Sequence, residues 1–358
     1  MCGYCQKTGP AVEVRDLAEY IESALSVEYD DPYARGAQYD KEADYYEDRF
    51  PGVTVHDAEL LLQEELQIEY EVAADLTSHF QNTYLAEIDG IFGPTHAEFM
   101  RAGWHSFKQI VKHKIRFVFF NPKFSTSFAD RYQESLNPYM VLSEVGKALT
   151  QLKLYKRFKK GQLKVYRARQ HAPNINYNTA GSIGSPPENT AKANRMSPAG
   201  ISMFYGAFDQ DTCYSEICQQ SSVPTEITFG SFVNLHNLKL IDFTKLTELP
   251  SIFDVDNRDK RSIASFILSF IRDLSQPVTP DDRVHIDYVP TQVVTEYFKH
   301  MMSSRIDGII YNSVKNKGGK CVVLFFDHSE MADEGSEIEG SALSLVKGSV
   351  ITKTVLVK

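Results

Sequence analysis

Residues 194–216 read NRMSPAGISMFYGAFDQDTCYSE. Pro198 and Gly200 mark a turn, and ISMFYGA that follows is a short apolar strand. The polar FDQD then leads into a helical segment in which Thr212 and Glu216 fall on one face at i, i+4. Strand and helix follow each other within a few residues, so this region is mixed α/β. An arginine (Arg195) on the turn, an aromatic ring (Tyr205) at the strand end and a carboxylate (Glu216) on the helix come in sequence.

Outward from this stretch the same texture continues. LKVYRA (163–168), EITFGSFV (226–233), LKLIDF (238–243), GIIYNS (308–313) and CVVLFF (321–326) read as strands, with helical patterning at about 209–219, 260–273 and 291–303. After 326 come an acidic loop, HSEMADEGSEIEGS, and a closing strand, SVITKTVLV. Upstream of residue 155 the pattern is helical. Val14, Leu17, Tyr20, Ile21 and Leu25 share a helix face, as do Trp104, Phe107, Ile110 and Val111. Residues 57–78 carry Leu61, Leu62, Leu66 and Ile68, and Asn137-Pro138 starts a helix through Met140, Val145 and Leu149. The acidic, Tyr-rich 27–52 has little period. The expectation is an α+β chain: an all-helical domain at 1–154, a mixed α/β domain at 155–330, and its closing loop and strand at 331–358. A basic linker, YKRFKK, opens the second domain.

Composition excludes several classes. The chain has 358 residues and a formal charge of -9, which argues against a broad nucleic-acid surface. No apolar run approaches the ~20 residues of a membrane span, and MCGYCQKTGP has neither the basic nor the apolar region of a secretory signal. A cytoplasmic protein is therefore expected. No G-x-x-x-x-G-K-[ST] and no G-x-G-x-x-G is present, so P-loop and Rossmann chemistry is unsupported. His96 and Glu98 form an H-x-E, but the P-C-x-x-C that zinc deaminases need is missing. Cys2 and Cys5 make one C-x-x-C, half of a tetrahedral zinc site with no second half. No metal is expected; zinc at Cys2 and Cys5 is the alternative. Cys213 and Cys218 flank Glu216 without a partner histidine and read as buried structural residues.

Single residues leave two readings each. Arg167 sits in a strand among apolar neighbours, either as half of an internal salt bridge or as a bidentate ligand of a diphosphate. Tyr205 is a core tyrosine or a stacking platform. Glu216 is a solvated helix carboxylate or a charge aimed at a ligand. Ser313, at a strand end, is a turn former or a ligand contact.

Taken together, YRAR, NRMSPAGISMFYGA-x₇-SE, YVPTQ (288–292) and DGIIYNS-x₄-GGKCVVLF resemble the RES domain over about 160–327. The helical stretch WHSFKQIVKHKIRF and the N-terminal C-x-x-C resemble the HEPN-type domain often fused to it. The resemblance implies an ADP-ribosyltransferase-like fold and a toxin that degrades NAD⁺. Arg195 would occupy the family's Gly-Arg-Trp position, here flanked by Asn194 and Met196, with Tyr205, Glu216 and Ser313 at its tyrosine, glutamate and serine. Arg167 would be the arginine after the first strand.

On that basis Glu216 would stabilise the oxocarbenium-like state formed as nicotinamide leaves, and Tyr205 would stack on the nicotinamide or ribose. Arg167 and Arg195 would hold the diphosphate, and Ser313 would position the ribose or Glu216. The expectations that follow are NAD as substrate, an antitoxin or other regulatory partner, a homo-oligomer, growth arrest in a toxin–antitoxin or antiphage setting, and no membrane or nucleic-acid partner. ADP-ribosyl transfer to a macromolecule and a non-catalytic or RNA-binding role are the competing readings. Catalytic HEPN ribonucleases carry Arg-x₄₋₆-His; Arg101 and His105 have only three residues between them, so the helical domain is expected to regulate or dimerise.

Overall fold

The structure is a computed structural model that describes residues 3–4, 7–34, 39, 50, 53–88, 96–118, 138–219, 222–254, 256–257, 260–275 and 284–355. Cys2 and Cys5, and the acidic stretch at 40–48, lie outside the described residues. The chain forms two compact units. The first comprises Met1–Phe99 with Leu249–Ile263, the second Met100–Glu248 with Ala264–Lys358.

The first unit contains α1 (Val14–Leu25), α2 (Ala58–Leu66) and α3 (Tyr70–Thr77), together with β1 (Tyr29–Asp30), β2 (Val55–Asp57) and β3 (Tyr84–Glu87). Its helical character is as expected, but the strands form a small antiparallel sheet in the order β1-β3-β2, which an all-helical reading omits. Strands of two to four residues are too short to show alternation. The helical pattern of 57–78 is also broken: Gln67 adopts a left-handed conformation (φ 51°), so two helices replace one. Asp57 caps the first of them through the amides of Glu59 and Leu60.

On α1 the buried face is Ala18, Ile21, Ala24 and Leu25, whereas Leu17 and Tyr20 are 41% and 47% exposed. Two alanines let neighbouring elements approach closely, and that contact outweighs the larger side chains in setting the helix rotation. The charge of Arg261 is met inside this unit by Glu28 at 2.7 Å, Glu65 at 3.6 Å and the Pro250 carbonyl at 2.9 Å.

The second unit holds α4 (His96–His113) from Met100 onward and α5 (Pro138–Gln151), then β4 (Tyr155–Phe158), β5 (Lys164–His171), α6 (Ala180–Ile183), β6 (Phe204–Ala207) and α7 (Gln210–Ile217). Next come β7 (Thr225–Asn234), β8 (Leu238–Asp242), α8 (Arg261–Ser275) from Ala264 onward, α9 (Val284–Asp287), α10 (Val289–His300), β9 (Gly308–Asn312) and β10 (Lys320–Leu324). The chain ends with β11 (Met331–Asp333), β12 (Leu343–Leu345) and β13 (Ile351–Val355). The basic stretch expected as a linker is strand β4, which pairs antiparallel with β8, and the expected acidic loop contains β11.

Ten strands make one mixed sheet in the order β11-β12-β7-β5-β6-β10-β9-β8-β4, with β13 also on β7. The β8–β9 and β11–β12 pairs are parallel and the other pairs antiparallel. The α+β class is the expected one. One sheet face buries Val165, Phe204, Phe232, Leu240, Val322 and Leu324 in a continuous core. On α4, Trp104, Phe107 and Val111 are buried, and the Trp104 indole donates to Asp273 at 2.7 Å. Arg101 and His105 are exposed on the same helix. Met140, expected inward on α5, is exposed, while Val145 and Leu149 are buried. Among the described residues no helix is long and apolar enough to cross a membrane.

Candidate active site

The site arises from a defect in the sheet. β5 pairs with β7 along its whole length, from Lys164 to His171. Its pairing with β6 is limited to Tyr166 opposite Ala207, beyond which the two strands diverge. Gly206 permits that single close approach, because a Cβ there would lie 2.9 Å from the Tyr166 carbonyl oxygen. A cavity of about 430 Å³ opens at the split, within the range of small-molecule sites. Arg167, Arg169, Tyr205, Glu216, Tyr311 and Cys321 line it.

Arg167 occupies the gap that strand pairing leaves. Its Nη1 donates to the Tyr205 carbonyl at 2.7 Å and its Nε to the Ile183 carbonyl at 2.9 Å. The guanidinium carbon lies 5.2 Å from the centre of the Phe204 ring. No salt bridge is present, so the internal ion pair allowed by the sequence is not formed among the described residues. Burial pushes the Arg167 pKa down to about 9, and the nearby Arg169 charge adds to this. An arginine remains protonated at neutral pH all the same.

Glu216 reaches the cavity from α7. Asp209 starts that helix, accepting the Thr212 amide at 2.7 Å and the Thr212 hydroxyl at 2.8 Å. One turn later the Ser313 hydroxyl donates to Glu216 Oε1 at 2.6 Å. Ser313 Oγ in turn accepts the amides of Lys315 and Asn316, and Asn316 Nδ2 donates to Thr212 Oγ1 at 2.7 Å. The i, i+4 pair on α7 is therefore tied at both positions to the turn after β9. The Cys321 thiol lies 3.7 Å from the same Oε1, its pKa raised by burial and by the Glu216 charge. Glu216 Oε2 has no hydrogen-bond partner among the described residues.

This junction depends on Gly319. A Cβ there would fall 2.2 Å from Thr212 Oγ1. Gly319→Ala is expected to cost about 1–3 kcal/mol by overpacking and to push α7 away from the turn. A lowered midpoint in urea denaturation, with native secondary structure retained by circular dichroism, checks it.

Tyr205 stands in the cavity wall, and its hydroxyl shares a 2.9 Å hydrogen bond with Ser197. Burial pushes its pKa up to about 12, so it is a neutral phenol. Arg195 is placed differently: it is absent from the cavity lining, and its Nη1 donates to the Leu274 carbonyl. It lies near enough to Tyr311 for its charge to oppose the rise that burial causes in the Tyr311 pKa. The turn carrying Arg195 closes through two backbone hydrogen bonds between Asn194 and Ser197. Thr291 donates to the Arg195 carbonyl, and Gln292 donates to the carbonyls of Asn194 and Ser197. The YVPTQ segment is thus the clamp on the arginine turn.

Of the five residues read from the sequence, Arg167, Tyr205 and Glu216 line one cavity, Ser313 supports Glu216 from behind, and Arg195 lies outside the lining. Sequence reading passed over Arg169, Tyr311 and Cys321. Arg169 was visible in YRAR. Tyr311 and Cys321 face each other across β9 and β10, a register that no local pattern reveals. Among the described residues no group of three or more His, Cys, Asp or Glu is arranged to hold a metal.

A mixed sheet with one split thus gathers two arginines, a neutral tyrosine and a braced carboxylate around one cavity. Residues 164–345 match the family model of the RES domain, and residues 1–125 match HEPN/RES N-terminal domain 1. The chain belongs to the RES-domain family, with a HEPN/RES-type N-terminal domain ahead of the RES domain. Members of that family are in general NAD-acting, and toxins among them are often paired with antitoxins. No curated protein and no solved structure matches the chain.

Proposed function

We propose that this protein consumes NAD⁺ by cleaving the nicotinamide–ribose bond at the β5/β6 split, as a glycohydrolase or phosphorylase. The observation that carries the proposal is Glu216, fixed at Oε1 by Ser313 with Oε2 unpartnered among the described residues, in one cavity with Tyr205 and Arg167. As the C1′–N bond breaks, its electron pair leaves with neutral nicotinamide and the ribose becomes cationic. A carboxylate fixed before the reaction stabilises that charge without reorganising. With water as acceptor, its oxygen bonds to C1′ and its proton is released, giving ADP-ribose.

Tyr205 offers a neutral aromatic surface to the nicotinamide ribose. Ser313 acts through Glu216 as a positioning residue. Arg195, backed by Thr291 and Gln292, supports the wall beside Tyr311. We further propose a cytoplasmic, toxin-like role in growth arrest, restrained by an antitoxin, with the N-terminal domain regulating or dimerising the enzyme.

The test is incubation of the purified full chain with NAD⁺ labelled in the adenosine half. Nicotinamide release with free labelled ADP-ribose, or its 1-phosphate when phosphate is supplied, is expected. Label on a macromolecule would establish ADP-ribosyl transfer instead. Intact NAD⁺ under all conditions would overturn the reading.

A further inference from the structure

The two arginines of β5 pose a problem that the fold alone does not solve. Arg167 and Arg169 are two residues apart on one strand, hence on one side of it, with Cα atoms roughly 6.6–7 Å apart. Both line the cavity and neither has a carboxylate partner among the described residues. Arg261, by contrast, is met by two carboxylates within its own unit.

Arg169 is the less satisfied of the pair. Its Nη2 donates to the Gly184 carbonyl at 2.9 Å, but its Nε is buried without a hydrogen-bond partner among the described residues. Burial disfavours the charge of each guanidinium, and the nearby Arg169 charge adds to the cost at Arg167. Uncompensated buried charge is expensive unless an anion is bound against it. Glu216 does not serve, because its Oε1 faces Ser313 and Cys321 and it forms no salt bridge with either arginine among the described residues.

We infer that Arg169 completes, with Arg167, a two-guanidinium site for a diphosphate, so that the cavity takes nucleoside diphosphates and dinucleotides by their phosphates. This inference rests on the proposed NAD⁺ cleavage for its orientation: the diphosphate lies at β5 and the scissile bond at Glu216. Each guanidinium turns donors to one of two adjoining phosphoryl groups, a match that a single phosphate does not provide. Arg195, held to Leu274 outside the lining, is not a member of the pair.

The experiment is calorimetric titration of the full chain with inorganic pyrophosphate and, separately, with inorganic phosphate at fixed ionic strength. Wild type is expected to bind pyrophosphate at one site and more tightly than phosphate. Arg169→Gln is expected to weaken pyrophosphate binding roughly 10- to 150-fold, the range of one hydrogen bond to a charged group, and Arg169→Lys by less. Arg157→Gln, which removes an exposed charge on β4, serves as the control and should bind as wild type does. Circular dichroism and melting temperature establish that each variant is folded.

Equal binding by wild type and Arg169→Gln, or no pyrophosphate binding by wild type, overturns the inference. The titration requires no turnover. A chain that binds pyrophosphate through Arg169 yet leaves NAD⁺ intact would sustain the diphosphate site and sink the cleavage. A chain that cleaves NAD⁺ with KM unchanged in Arg169→Gln would do the reverse.

Discussion

Glu216→Gln is expected to lower kcat for nicotinamide release by about 10²–10³, equivalent to about 2.7–4 kcal/mol of transition-state stabilisation, by analogy with the removal of one preorganised oxyanion-hole group. Glutamine keeps the shape of the side chain and an oxygen able to accept the Ser313 hydroxyl, so the α7 junction stays closed. Only the charge is removed. In the proposed mechanism that charge acts only as the ribose becomes cationic, so KM for NAD⁺ should change little while kcat falls. Ser313→Ala should give a smaller loss, since it loosens the carboxylate without neutralising it. Initial rates of nicotinamide release at several NAD⁺ concentrations separate the two parameters. An unchanged kcat in Glu216→Gln would remove this carboxylate from the mechanism.

Much of this site was legible before any coordinates, for local reasons. The strand–turn–helix run through Tyr205 and Glu216 is written in the Pro198–Gly200 turn, the short apolar strand, the polar FDQD and the i, i+4 pair Thr212 and Glu216. These features lie within one turn or one strand of the residues they place. What was not legible depends on partners far along the chain. Arg195 has the same local pattern whether it points into the cavity or away from it. Its placement is decided by Leu274 and by Thr291 and Gln292, roughly 80 to 100 residues later.

Arg167 shows the same limit in another way. The sequence poses the choice between salt bridge and ligand, but a sheet that splits after Tyr166 is needed to offer a third partner, the carbonyl of Tyr205. In the first unit, the left-handed Gln67 and the alanine face of α1 were hidden because neither follows from hydrophobic bulk. Register and backbone conformation, more than residue type, separate the readable part from the rest.

Phe204→Ala tests how far the core supports the cavity, and a loss of about 3–5 kcal/mol is expected for truncating a fully buried phenylalanine. Phe204 precedes Tyr205 on β6, so the two side chains point to opposite faces of the sheet. Its ring packs edge-on against Phe232 at 5.0 Å and has the Arg167 guanidinium 5.2 Å from its centre. Truncation therefore removes core volume and, with it, the aromatic face that helps to hold a half-buried charge.

Against a total stability of about 5–15 kcal/mol, such a loss leaves little reserve. Trp104 is the only tryptophan and belongs to the second unit, so its fluorescence follows unfolding of the unit that contains the mutation. The urea midpoint should fall with the slope preserved, as expected when the native state alone is weakened. Phe204→Leu, which keeps most of the volume but no ring, should recover much of the stability. It should still bind pyrophosphate less tightly than wild type, because Arg167 would have lost its aromatic support. If Phe204→Leu binds pyrophosphate as wild type does, the ring is only core packing, and the two carbonyls of Ile183 and Tyr205 are sufficient to hold Arg167 in place.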